Sequence, residues 1–231
     1  MLVALQLPEW VEPVARYILE VGLPATLRVS AIAVTGSAVI GILFGTLITI
    51  DFRPLQVLLR GYIEVFRGLP ILVTVFIVFL GLPELSSALR FTPLTSAALA
   101  LVLWGSAQVA EATRGAVQSI PREQHEGAAA LGFGWFGRHR WVILPQARRR
   151  LLPPFVGLLV NIIQNSTLAA AIGGVEILQA SKSQYERLSF PPPIGIGEIH
   201  AFEIFAGTAI LFFLISFPLT RLAAVLEKRL A

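Results

Sequence analysis

The sequence predicts an all-α integral membrane protein with about five transmembrane helices, on three observations. Of its 231 residues, 55% are apolar and only 14% charged, and the mean hydropathy is +0.76; a soluble domain carries about 25% charged residues. Several apolar stretches reach bilayer-crossing length. Basic residues concentrate in alternate connections between those stretches, as expected of cytoplasmic loops. The same composition excludes an ordinary soluble enzyme and a disordered chain, which would be rich in charge and poor in large apolar residues. No cysteine is present, so disulfide frameworks and thiolate metal sites are excluded. The net charge of +4 comes from 18 basic and 14 acidic residues and points to membrane orientation, not to a nucleic-acid partner.

A hydrocarbon core of about 30 Å needs about 20 mostly apolar residues per helix. Val29–Ile50 supplies the first span without a charge. Ile71–Leu82 is too short alone and needs the upstream segment Leu55–Pro70, which carries Arg60, Glu64 and Arg67. The third span is Leu94–Ala110, extended through the polar end Glu111–Gln118; the fourth is Leu151–Leu178 and the fifth Ile199–Leu219. The segment before the first span has Arg16 against Glu9, Glu12 and Glu20, whereas residues 119–150 hold Arg122, Arg138, Arg140, Arg148, Arg149 and Arg150 against Glu123 and Glu126. Five spans reproduce this alternation with the N-terminus outside and the C-terminus in the cytoplasm. Met1–Leu7 is too short for a signal-peptide core and has no basic lead, so an uncleaved start is expected. Glu9–Leu27 reads as an amphipathic lead-in on the outer surface. The whole chain, residues 1–231, is read as one transmembrane domain with a large loop at about 119–150.

Three motif matches carry no chemistry. Gly132, Gly134 and Gly137 fit GxGxxG, but no strand precedes them and the next acid is Glu176, so a turn is expected. Asn165-Ser166-Thr167 is a sequon inside a span. His125, His139 and His200 lack metal-site spacing and read as solvated loop residues. No GxxxxGK[ST] sequence occurs, so any ATP chemistry, with its Mg2+, must come from another chain, and no cofactor is expected on this one. The large loop is more informative. Ser119 and Pro121 start a short helix, Gln124–Leu131 continue it, and Gly132 and Gly134 end it. Its compact apolar residues Ala128, Ala129 and Leu131 suit a partner's groove.

Here the sequence resembles a known family. Glu126-Gly127-Ala128, three residues, Gly132, nine residues, Val142, one residue and Leu144-Pro145 follow the EAA loop of ATP-binding-cassette importer permeases, with Gly127 and Val142 as departures. Further stretches are similar to the polar amino-acid (histidine and glutamine) subfamily: Tyr62-Ile-Glu64-Val-Phe-Arg67-Gly68-Leu-Pro70, Glu111-Ala-Thr-Arg114-Gly115, Leu144-Pro145-Gln146-Ala147 and Ser166-Thr167-Leu168. The resemblance spans roughly residues 20 to 228. It implies a type I importer permease in the bacterial inner membrane, paired with itself or a sibling permease. It also implies a cytoplasmic ATPase dimer and an extracytoplasmic solute-binding protein as partners, with lipid around the spans. Residues Glu126, Gly127, Ala128, Gly132, Leu144 and Pro145 would then couple it to the ATPase, Glu126 by a polar contact and Gly132 by permitting a turn.

Intramembrane polar residues are costly and face the bundle interior. The densest cluster is Asn161, Gln164, Asn165, Ser166 and Thr167, with Asn161, Gln164 and Asn165 on one helical face. Glu64, Arg67 and Glu111 are candidate charged neighbours from other spans, and together the group offers donors and acceptors to a zwitterion. Interhelical hydrogen bonding is the competing role for such residues. Members of the family often carry a lysine where this sequence has Gln164, which weakens the case for an acidic substrate. A subunit of an ion-gradient-driven transporter or channel is the alternative reading, against which the ordered EAA spacing argues.

Overall fold

The computed structural model describes residues 8–190, 197 and 199–230, and these form helices joined by short turns, with no strand among them. The first element, α1, runs unbroken over Val11–Leu47, about 55 Å at 1.5 Å per residue. The amphipathic lead-in expected at the surface is thus nearly the first half of the spanning helix. Met1–Leu7 lies outside the described residues.

A Leu-Pro pair explains how that continuity survives a proline. Ile18–Gly22 forms a π segment, and Leu23, just before Pro24, donates its N–H five residues back to Ile18. Proline lacks an N–H and its ring clashes with the carbonyl four residues back; a widened turn relieves both problems without breaking the helix. The same arrangement recurs at Ile77–Gly81 before Leu82-Pro83 and at His139–Ile143 before Leu144-Pro145.

Helices α2 (Arg53–Gly68) and α3 (Ile71–Leu85) meet at a bend of 107°. The expected straight span over residues 55–82 is therefore a broken pair. Pro70 forces Leu69 out of helical geometry, and Leu69 has ψ 138°. Helix α2 buries Leu59 and Ile63 against Ile48 and Ala110 while Val57 and Leu58 stay exposed. Helix α4 (Pro93–Gln118) is the most buried element; Thr92 caps it by accepting from Thr95 N–H, and it includes the polar end as expected. Helix α5 (Arg122–Ala130) follows.

Helix α6 covers Trp135–Ile172, so the fourth span begins sixteen residues before the expected Leu151 and stops six short of Leu178. It tightens to 3-10 geometry over Ser166–Ile172 and ends where Gly173 adopts φ +80°. The N–H groups of Gly173 and Gly174 bond the carbonyls of Ala170 and Ala169, a Schellman stop. Glu176, taken as part of an apolar span, is fully buried and caps a helix the sequence reading omitted, α7 (Ile177–Ser189), by accepting from Leu178 and Gln179 N–H at 2.9 Å each. Burial pushes its carboxyl above the usual range, against the pull of those two N–H groups. Ile177 and Ala180 seat α7 against Val14, Ile18 and Ile204. Helix α8 (Ala201–Leu230) is the last; Glu198 lies outside the described residues. Among the described residues, four helices are long and apolar enough to span, and the broken α2–α3 pair is a fifth crossing candidate.

Helices α1 and α4 hold the subunit together. Along α1, Val29, Ala33, Ser37, Gly41 and Gly45 repeat every four residues on one face, all buried. Opposite them stand Ala98, Leu101, Gly105, Val109 and Ala110. A methyl group added at Gly41 would lie 2.7 Å from Val109 Cγ1 and 2.8 Å from the Ser106 carbonyl. Small residues at this spacing let backbones approach closely in a bilayer. Gly41→Leu should therefore cost well over the 1–3 kcal/mol typical of overpacking and abolish the monodisperse peak on size-exclusion chromatography. Gly61→Ala, where nothing lies within 4 Å, should leave that peak and the Tm unchanged; a tolerated Gly41→Leu would mean the two helices do not meet here.

Candidate functional site

Two groups of polar residues, at different levels of α4, make up the site. Helix α6 carries the first. Ile162 and Ile163 point into the subunit, with Ile162 packed on Val29, Ala33, Ala98 and Leu101. That orientation turns Asn161 and Gln164 outward, exposed, with Asn165 half-exposed. Every hydrogen bond of this cluster stays on its own helix. Asn161 Nδ2 donates to Gly157 O at 3.1 Å and Asn165 Nδ2 to Asn161 O at 2.8 Å. Thr167 and the buried Ser166 donate to Gln164 O and Ile163 O. No interhelical bond uses these residues, and the Gln164 amide has no partner among the described residues.

The second group lies between α2 and α4. Arg114 grips Glu111 with two bonds, Nε to Oε2 at 2.9 Å and Nη2 to Oε1 at 2.5 Å. Arg67 approaches from α2, 3.9 Å from Glu111 and 3.3 Å from Gln108 Oε1. With Arg60, Glu64 and Ile48 they line a cavity of about 220 Å³. Gly105, level with Ile162, and Glu111 are six residues apart on α4, about 9 Å of rise. No hydrogen bond or ion pair joins the two groups among the described residues. The charged residues expected beside the polar cluster therefore lie at a separate level of α4. Gln108 escaped the sequence reading, although its position three residues before Glu111 places it on the same face.

The loop helix α5 forms close to its expected limits, following Pro121. Gly132 has φ +82°; its N–H bonds Ala129 O and that of Phe133 bonds Ala128 O, another Schellman stop. Glu126 is exposed and pairs with Arg122 at 2.6 Å. Gly127 is open, with nothing within 4 Å of a would-be Cβ. Ala128 is buried within the chain and so cannot enter a partner's groove, whereas Ala129 and Leu131 are exposed. Leu144 packs on the core of Ala116, Val117, Ile120 and Ile143, and Pro145 enters the first turn after the π segment.

Two histidines expected in solvent are not there. His139 is buried, stacked on Trp135 at 4.1 Å, with Nδ1 2.9 Å from Trp135 O and Nε2 3.1 Å from the Thr49 hydroxyl. It ties the start of α6 to the end of α1, a tertiary role with no local sequence signal. His200 stacks on Trp10 at 4.3 Å. Partial burial first, and Arg138 second, hold the His125 imidazole below its usual range. No group of three or more metal-ligating side chains occurs among the described residues.

Residues 37–231 match the family described as "Binding-protein-dependent transport system inner membrane component". The chain belongs to that family. It is a multi-pass permease subunit of an ATP-binding-cassette importer in the bacterial inner membrane, a transport subunit and not an enzyme. It is 32% identical over 209 residues to the glutamine transport system permease protein GlnP of Escherichia coli (strain K12), covering 90% of this chain and 91% of that protein. The probable glutamine ABC transporter permease protein GlnM of Bacillus subtilis (strain 168) is 29% identical over 205 residues, 89% of each chain. A chain in a crystal structure of an amino acid ABC transporter with histidines superposes with TM-score 0.80 at 24% identity, over 96% of this chain and 99% of that one.

The bonding pattern ranks the polar residues of this permease by their stability cost. Glu111→Ala leaves Arg67 and Arg114 without their carboxylate and should destabilise by roughly 1 kcal/mol, the group being about a third exposed (31%). Asn161→Ala removes only a bond to its own helix and should stay within about 0.5 kcal/mol. Thermal unfolding in one detergent compares them, and an equal or larger loss for Asn161→Ala would mean that residue braces another helix.

Proposed function

We propose that this permease forms half of the translocation pathway of an ATP-driven importer of polar amino acids. Its N-terminus lies outside and its C-terminus in the cytoplasm, following the charge bias of the connections. The observation that carries the pathway reading is the outward amide face of Asn161, Gln164 and Asn165 on a spanning helix. Such a face is not stable against lipid, so a second permease subunit, the same chain or a sibling, covers it and encloses a polar path. Ser166 and Thr167 continue that surface toward the 3-10 turn. Glu64, Arg67 and Glu111 act at a separate level, as a charged constriction along the same route. Two relatives named for glutamine, and an uncharged amide at residue 164, favour a neutral polar amino acid such as glutamine, delivered by an extracytoplasmic solute-binding protein.

Coupling to the partner ATPase dimer, which binds ATP and Mg2+, runs through α5. Glu126 offers its carboxylate, Gly127 leaves room for close approach, Ala128 anchors the helix to its own chain, and Gly132 ends it in a left-handed turn. Leu144 and Pro145 carry displacement of that helix into α6. A stiff element gripped by a partner turns ATPase closure into rigid-body movement of the spans, as alternating access requires.

A β-branched residue pays about 1–3 kcal/mol to hold φ near +80°. Gly132→Val should therefore insert normally while uptake per ATP hydrolysed falls several-fold in reconstituted vesicles. Undiminished uptake at equal expression would reduce the loop to a connector. Gln164→Lys places a cation on the polar face and should shift preference toward glutamate over arginine by about tenfold, or about 1.4 kcal/mol, with hydrolysis still coupled. Competition among glutamate, glutamine and arginine reads the shift, and an unchanged order in a folded variant would remove residue 164 from the pathway.

A further inference from the structure

Beside the start of α5 lies a basic cleft whose arginines serve neither the pathway nor the coupling helix. One wall is Ile120 and Pro121; the other is Pro145, Gln146 and the run Arg148, Arg149 and Arg150 at the foot of the apolar part of α6. The cleft encloses about 470 Å³, and no acidic residue lines it. Its walls are fixed to each other. Arg150 Nη1 donates to Ser119 O, and Gln146 Nε2 donates to Gln124 Oε1 at 3.1 Å and to Val142 O at 2.9 Å. Arg148 and Arg149 have no ion pair or hydrogen bond among the described residues. Two guanidinium groups without counter-charge thus stand at the edge of a preformed hollow.

Depth in the bilayer identifies what meets them. From Leu151 to the end of α6 at Ile172 the chain runs fifteen residues of α-helix and seven of 3-10 helix, about 36 Å in all. That covers a hydrocarbon core of about 30 Å and leaves Arg148–Arg150 at headgroup level.

We propose that this cleft binds the phosphate headgroup of an anionic phospholipid. Arg148 and Arg149 bind the phosphate oxygens in charge-assisted bonds, Arg150 holds the site open through Ser119, and Ile120 and Pro121 meet the apolar glycerol and first methylenes. The bound lipid bridges the entry of the loop helix to the foot of a spanning helix. The proposal needs membrane embedding alone, not the pathway or coupling reading, and its test requires no transport.

The test titrates phosphatidylglycerol, and separately phosphatidylcholine, into the intact detergent-purified transporter and counts bound lipids by native mass spectrometry. Wild type should retain phosphatidylglycerol preferentially. One surface arginine changes anionic-lipid affinity by about fivefold, so the double variant Arg148→Gln/Arg149→Gln should weaken it by about thirtyfold, with phosphatidylcholine binding and Tm unchanged. Arg53→Gln, a basic surface residue outside the cleft, should change it little. Displacement of the lipid by millimolar inorganic phosphate would assign the cleft to free phosphate. An equal loss with Arg53→Gln would show diffuse attraction without a site. Intact lipid binding with release of the ATPase would show that the arginines dock the ATPase. Any of these three results overturns the proposal.

Discussion

In a bilayer the usual driving force for packing is missing between helices, because lipid tails are as apolar as the side chains they would replace. Close approach of backbones is what remains, and α1 and α4 achieve it through small residues. Ser37, Gly41 and Gly45 on one helix face Gly105, Ser106 and Ala110 on the other, near enough that an added Cβ at Gly45 would collide with the Ala110 carbonyl. The other elements are arranged around that seam. Helix α2 rests Leu59 and Ile63 on its far end, α6 lays Ile162 into its middle, and α7 meets α1 at Gly22, where an added methyl would come within 2.9 Å of Ile177 Cα.

Prolines give this bundle its second constraint, and their effect depends on what surrounds them. Leu69-Pro70 turns the chain through 107°, whereas Leu23-Pro24, Leu82-Pro83, Leu144-Pro145 and Leu152-Pro153 sit in helices that run on. Before the first three of these a π turn returns the displaced backbone bonding five residues back, while Pro153, Pro154 and Pro218 lie inside helices without one. One such turn lies between the loop helix and the apolar part of α6. A widened turn is a less regular hydrogen-bond ladder than the α-helix on either side, and it stands where movement of α5 would enter the membrane. His139, within that turn, links it to Thr49 at the end of α1.

The polar residues of the spans divide by the way their bonds are met. Glu111, Arg67, Arg114 and Gln108 satisfy one another across two helices, so their positions are mutually fixed. Asn161, Asn165 and Thr167 are satisfied within α6 and keep bonding capacity turned outward, while the Gln164 amide has no partner among the described residues. An amide that serves no internal contact is available to whatever lies on that face.

Composition and local order were enough to settle the class of protein, the order of its spans and the short loop helix ended by Gly132. These depend on hydropathy, charge and residue spacing within about twenty residues, and the spacing from Glu126 to Pro145 carried the family. What the sequence did not disclose is non-local. The four-residue repeat of small side chains on α1 is visible in the sequence, but its partner on α4 is sixty or more residues away. Whether a proline bends a helix or is carried within it is not set by the pair of residues itself, so α1 and α6 were read too short and α2–α3 too straight. Glu176 looked like a stray acid until α7 supplied the N–H groups that it caps. Likewise, only tertiary packing separated Glu111 and Arg67 from Asn161 and Gln164, because depth along a neighbouring helix is set by side-chain contacts that no single stretch of chain contains.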